Sequence, residues 1–430
     1  MKKYKLLLKT ISLTILMLLL TGIANSCSMF KITLYGKTMV GNNEDAWRLD
    51  SKIWFEIGNT HTYGVAYVGH NDLFPQGGMN EAGLAFDGFT VYPRKLKPVL
   101  GKKKVENPAD FIKMILQRCK STEEVKELIN QYDRSVFNSA MLLFVDKTGK
   151  YLVVEVDTTI MGNDQKYVLS NFCPSVTQNP DDVEIGRYQR GRRFLANKSD
   201  TSLSFCVSMM DTMHECRNKI GDGTTYTSIY DLNEGLINLY FYHDYTHRVQ
   251  FSLQEELKKG DHVIRMLDIF PQNKEYEKFA NFKTTFNDLR LRLLLIALSG
   301  FLLLSVLYYV FFCLQGLIKE NKGFISSKKN IHGLSTIFLN IGLIFFIYIL
   351  LTNQSIFYFD SAYNRSTDPF LYYYSLYFPI ALLVLMVPAI ILIVSIFKQD
   401  QTAWFYKGTI MLNSICYMIM LLLCGYWKLF

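Results

Sequence analysis

Apolar and polar side chains alternate with period two over residues 30–40, 52–57, 62–68 and 84–92, with Gly and Asn at the breaks, and this predicts half-buried strands. The period then changes. Residues 108–119 carry apolar side chains at helical spacing behind Pro108, and Ser121-Thr-Glu-Glu124 has capping-box spacing ahead of a helix that continues over residues 125–132. Strands return at residues 141–145 and 151–156, around the turn signal Asp146-Lys-Thr-Gly149, and at 225–231 and 236–242, around Asn233-Glu-Gly235. Long antiparallel hairpins with a helical insert predict an α+β fold in which helices cover layered sheets.

Beyond residue 287 the polar phase disappears. Residues 293–318, 334–351, 372–397 and 408–427 are uncharged runs, each about long enough to cross a hydrocarbon core of roughly 30 Å. A shorter apolar run, residues 11–20, follows Lys2, Lys3, Lys5 and Lys9 and precedes Ala24-Asn25-Ser26, which has small residues at −3 and −1 of a secretory cleavage site. The expected organisation is a signal peptide over residues 1–26, a globular domain over 27–287 and a four-helix membrane region over 288–430.

Composition agrees with a chain partly in lipid: half of its 430 residues are hydrophobic, and the mean hydropathy is +0.10. The net charge of +8 is unevenly spread, with four Lys and no acid in residues 1–26, and ten basic against five acidic groups in 288–430. That leaves the middle near neutral, with no electrostatic footprint for nucleic acid. Lys319, Lys322, Lys328 and Lys329 occupy the first link between the runs, and Lys398 and Lys407 the third, while the second holds Arg365. The positive-inside rule then puts the Lys-rich links in the cytoplasm and the middle domain outside, on the periplasmic or exterior face of a multi-pass cytoplasmic membrane protein.

Cleavage after Ser26 gives Cys27 a free α-amine beside its thiol. An unperturbed α-amine has a pKa of about 7.7 to 8.0, so near neutral pH it can take the proton from its own side-chain nucleophile. Two other readings stay open: a lipidated cysteine, which would ask for an aliphatic −3 residue where Ala24 stands, and an inert buried thiol. His243 and His247 have H-x3-H spacing in a strand-like run without a third ligand evident, so no metal is required, and no nucleotide loop, G-x-S-x-G elbow or H-E-x-x-H motif occurs. Cys119, Cys173, Cys206 and Cys216 allow three disulfide pairings, which the sequence does not separate.

Cys27-Ser-Met-Phe30, Gly41-Asn-Asn-Glu-Asp45, Gly78-Met-Asn-Glu-Ala-Gly-Leu84 and Ser170-Asn171-Phe-Cys-Pro174 fall in an order and spacing that resembles N-terminal-nucleophile hydrolases. The nearest branch is the linear-amide C–N hydrolases, which includes choloylglycine hydrolases, penicillin V acylases and the isopenicillin N acyltransferase group. The resemblance covers roughly residues 27 to 260. It implies a four-layer αββα sandwich in which Cys27 attacks an amide carbonyl, its amine acts as general base and then acid, Asp45 holds that amine, and Asn171 donates to the oxyanion. Arg187, in Gly186-Arg-Tyr-Gln-Arg190, resembles the family arginine near the thiol, whose charge would lower the thiol pKa.

Two positions depart from the pattern. Asn42 stands where bile-salt and penicillin V enzymes carry Arg, and Thr90 where they carry a second oxyanion Asn, so Asn42, Asn43 and Thr90 are pocket candidates without an assigned ligand. Asn80 and Glu81 are expected to shape a turn. The expected partners are a small-molecule N-acyl amide and membrane lipid, with no cofactor. The expected activity is that of a membrane-anchored cysteine amidase, with an acyltransferase or a catalytically silent ligand-binding sensor as alternatives.

Overall fold

The structure, a computed structural model, describes residues 27–46, 48–91, 93–94, 101–217, 222–319, 328–357, 369–397 and 404–429. The expected signal peptide lies outside these residues. They fall into two compact units that divide between Asn281 and Phe282.

The first unit holds two antiparallel sheets. One runs, edge to edge, Lys166–Ser170, Ser28–Leu34, Lys37–Ala46, Asp222–Asp231, Leu236–Phe241 and Asp244–Ser252, with the two-residue strand Cys216–Arg217 added to Asp222–Asp231. The other runs Thr159–Gly162, Tyr151–Val154, Ala140–Asp146, Leu84–Thr90, Pro75–Asn80, Val65–Gly69, Lys52–Glu56 and His262–Arg265. The apolar phase of each strand decides its helix-facing side. In the first sheet Phe30, Ile32, Met39, Ile229 and Tyr240 pack on Leu195, Met209 and Met210 of the helices Gly186–Asn197 and Leu203–Met213. In the second, Tyr67, Phe86 and Phe144 pack on Ile112, Ile115 and Val125 of the helices Pro108–Arg118 and Thr122–Ile129. Each such buried side chain contributes about 1.5 to 3 kcal/mol.

Close approach dictates two glycines. A Cβ on Gly41 would lie 2.4 Å from the Phe30 ring and 3.0 Å from Met210 Sδ, so the helix can sit on this strand only over a glycine. Gly149 has φ +88°, and a Cβ there would meet Thr33 Oγ1 at 2.2 Å, which ties the Asp146–Gly149 turn to the first hairpin.

Local polar bonds close the hairpins and cap the helices. Asn80 Oδ1 accepts from the backbone N–H of Ala82 and Leu84, while its Nδ2 donates to the carbonyls of Leu116 and Cys119, both at 2.7 Å. One side chain thus shapes the turn and fastens it to the end of the covering helix. Ser121 Oγ accepts from Glu124 N–H, and the return bond to Glu124 comes from the N–H of Lys120, one residue before the cap.

Three expectations change. The 30–40 run breaks at Tyr35 and Gly36, both left-handed, so it is a hairpin rather than one strand. Tyr242 and His243 are also left-handed and form the turn between two strands, so His243 does not share a strand face with His247, which bonds Asp244 instead. Cys119, Cys173 and Cys206 are free, buried thiols. Every complete pairing with Cys216 needs a bond between two of those three, so no two-disulfide framework is present.

The second unit contains the helices Leu289–Lys319, Lys328–Thr352, Pro369–Phe397 and Trp404–Tyr426. Three stretches, Leu289–Gln315, Asn330–Thr352 and Trp404–Tyr426, are long and apolar enough to cross a membrane. The expected third run, 372–397, lies within the helix Pro369–Phe397. Inside the bundle Asn340 Nδ2 donates to Ser305 Oγ and Asn413 Oδ1, Asn413 Nδ2 donates to Ser305 Oγ, and Tyr417 donates to Asn340 Oδ1 at 2.5 Å. The two asparagines of separate apolar runs therefore satisfy each other. Residues 320–327 and 398–403 of the Lys-rich links lie outside the described residues.

Candidate active site

Cys27 directly precedes the first strand and is 1% exposed. Its carbonyl accepts from Ser170 Oγ at 2.9 Å, and the neighbouring register sets Ser28 opposite both Asn43 and Ser170. The thiol therefore starts a strand pinned on both sides. Cys27 Sγ donates to Glu44 Oε2 at 3.1 Å. Burial pushes the thiol pKa well up, and the carboxylates of Glu44, Asp87 and Asp45 add to the rise. This is opposite to the lowering expected from a nearby arginine.

Arg187 has other partners. Its Nη2 donates to Asn171 Oδ1 at 2.6 Å and its Nε lies 3.6 Å from Asp45 Oδ2. Asp45 Oδ1 accepts from Thr224 Oγ1 at 2.5 Å across the adjacent strand, and Asn171 Nδ2 donates to the Thr90 carbonyl at 2.9 Å. Asp45, Arg187, Asn171 and Thr90 are thus joined in one chain of contacts. Thr90 enters it through its backbone carbonyl.

Strand parity separates the two hairpin asparagines. Asn43 faces the helical layer, donating to Met210 O and accepting from Thr227 Oγ1 at 2.6 Å and Tyr245 OH. These bonds brace the strand against the helical layer. Asn42, opposite Met29, lies on the other face, with its fully buried amide unbonded to any described residue.

The sequence reading missed the residues on that same face. Glu44 shares the parity of Asn42, and from the second sheet His70 Nε2 approaches Glu44 Oε1 at 3.7 Å, both side chains being fully buried. Asp87, also from the second sheet, has its carboxyl pKa pushed well up by burial and then by the Glu44 charge. Tyr226 sits opposite Glu44 in register, with its ring 6.0 Å from that of His70. Period-two parity from Cys27's hairpin pointed to Glu44; nothing local pointed to His70. The face between the sheets thus brings together the Cys27 thiol, the Glu44 and Asp87 carboxyls and the His70 imidazole. Among the described residues no cluster of His, Cys, Asp and Glu has the makings of a metal site.

No protein-family model matches the chain, and no curated protein matches it. Among solved structures it is similar to penicillin V acylase from Agrobacterium tumefaciens, at 13% identity and a TM-score of 0.43, over 56% of this chain and 90% of that one. It is also similar to two variants of the conjugated bile acid hydrolase from Clostridium perfringens. Both have 19% identity and a TM-score of 0.43 over 58% of this chain, covering 97% of one and 98% of the other.

Proposed function

We propose that the sheet unit is an extracytoplasmic cysteine amidase with four-layer αββα architecture, anchored by the helical unit, which cleaves a linear N-acyl amide through an acyl-thioester on Cys27. The observation that carries this reading is the thiol at the start of a strand pinned to Ser170, next in sequence to the Asn171 whose amide Arg187 orients. Removal of residues 1–26 would free the Cys27 amine to exchange protons with the thiol, the departing nitrogen and the attacking water. Sulfur bonds the carbonyl carbon, the C–N bond breaks as the amine leaves protonated, and water then releases the acid and restores the thiol. Asn171 is the oxyanion donor, through the side-chain amide that the Arg187 contact orients. Asp45 would hold the α-ammonium by a charge-assisted bond.

The test is to isolate the full chain from a membrane, sequence its N-terminus and incubate it with a panel of N-acyl amides. A Cys27 N-terminus and a mass increment of one acyl group on that residue are expected, both absent in Cys27→Ala. An intact residue 1–26 segment, a lipidated Cys27 or no acylation across the panel would overturn the reading. Adding an amine acceptor separates hydrolysis from acyl transfer by the product formed.

A further inference from the structure

Glu44 and His70 form a pair that the amidase reading does not use. The Glu44 carboxylate accepts the Cys27 thiol proton through Oε2 at 3.1 Å and turns Oε1 toward His70 Nε2 at 3.7 Å. His70 Nδ1 in turn lies 3.9 Å from Asp50 Oδ1. Glu44 and His70 come from different sheets, both fully buried, and neither imidazole nitrogen has a hydrogen-bond partner among the described residues. A carboxylate buried without full pairing is costly, so its place against the nucleophile calls for a hydrogen-bond partner to share a proton with. The other titratable groups facing the pair are Tyr226 and Tyr230 on the first sheet and Asp87 on the second, while Asp45, on the opposite face of the Glu44 strand, acts on the thiol.

We infer that Glu44 is a catalytic proton acceptor for the Cys27 thiol, and that His70 is a positioning residue that holds the Glu44 carboxylate. The inference rests on the amidase reading for its chemistry. As sulfur bonds the carbonyl carbon, the S–H proton passes to Glu44, and it moves to the amine nitrogen as the C–N bond breaks. In the second half Glu44 takes a proton from water and returns it to the thiolate leaving the thioester. Nucleophile activation then does not rest on the Cys27 α-amine alone.

The experiment uses the processed full chain and two readouts: the pH midpoint of Cys27 alkylation by iodoacetamide, and the rate of acyl-enzyme formation. Removing the carboxylate in Glu44→Gln takes a negative charge from beside the thiol, so the alkylation midpoint falls, while acyl-enzyme formation drops by about 10²-fold or more. His70→Asn takes away the imidazole that faces Glu44 Oε1, so the carboxylate leans more on the thiol proton and the midpoint rises. Unfolding would expose the thiol and lower the midpoint in both variants, so the opposed shifts distinguish a proton pair from lost structure. An unshifted midpoint in Glu44→Gln, a fall in His70→Asn, or unimpaired acylation in Glu44→Gln overturns the inference. If the wild type itself acylates with no amide, the amidase reading and the catalytic role of Glu44 fall together, and the midpoints alone decide whether the proton pair exists.

Discussion

Arg187 Nη2 donates to Asn171 Oδ1 at 2.6 Å, and this bond decides which way the Asn171 amide points. With Oδ1 held by a guanidinium and Nδ2 by the Thr90 carbonyl, a flip would set donor against donor and acceptor against acceptor. The side chain therefore presents its N–H toward the strand that carries Thr90.

Replacing that amide tests its role. Asn171→Ala is expected to slow single-turnover acylation by about 10² to 10³-fold, the usual effect of losing one oxyanion donor. Arg187→Lys keeps a cation but loses the planar fork, and a smaller loss is expected, with substrate binding unchanged. Mass-resolved acylation of the full chain measures both.

Asp87 makes a prediction about stability. Its folded pKa is raised, so it favours folding at low pH, and that contribution fades as pH climbs above the ordinary carboxyl value of about 4 and through the folded value. Asp87→Asn removes the dependence while keeping an oxygen to accept from Gly88 N–H. The variant is expected to match wild type near pH 4 and to melt at a higher temperature at pH 8, by thermal unfolding of the detergent-solubilised chain.

Asn80 is expected to matter for folding and not for chemistry. Asn80→Ala leaves two buried carbonyls and two turn N–H groups without their partner, a loss of about 4 kcal/mol at roughly 1 kcal/mol per bond. The unfolding temperature should drop, while the pH midpoint of Cys27 alkylation in the folded protein stays where it was.

Inside the bundle, Asn413→Leu is expected to cost about 1 to 2 kcal/mol against SDS unfolding. Because Asn340 shares the same hydrogen bonds, the double substitution with Asn340→Leu should cost less than the two single losses added.

The sequence made legible what depends on near neighbours. The Asp146–Gly149 and Asn233–Gly235 turns, the two helices Pro108–Arg118 and Thr122–Ile129 that cover the second sheet, and the role of Asn80 follow from turn chemistry and periodicity, which act over a few residues. The Tyr35–Gly36 break was hidden because a two-residue turn hardly disturbs the alternation on either side. That Asn42 and Asn43 face opposite layers was hidden because motif resemblance does not state parity: one step along a strand exchanges the faces of the sheet. The meeting of Glu44 with His70 needed the packing of two sheets, and no local pattern encodes that distance.

The Ser305, Asn340, Asn413 and Tyr417 knot also sets a timetable for the bundle. The helix Leu289–Lys319 and the helix Lys328–Thr352 are synthesised first, and Ser305 and Asn340 on them can already meet each other. Only when Trp404–Tyr426 emerges do Asn413 and Tyr417 arrive to close the circuit. The last helix thus acts as the latch that completes the polar knot.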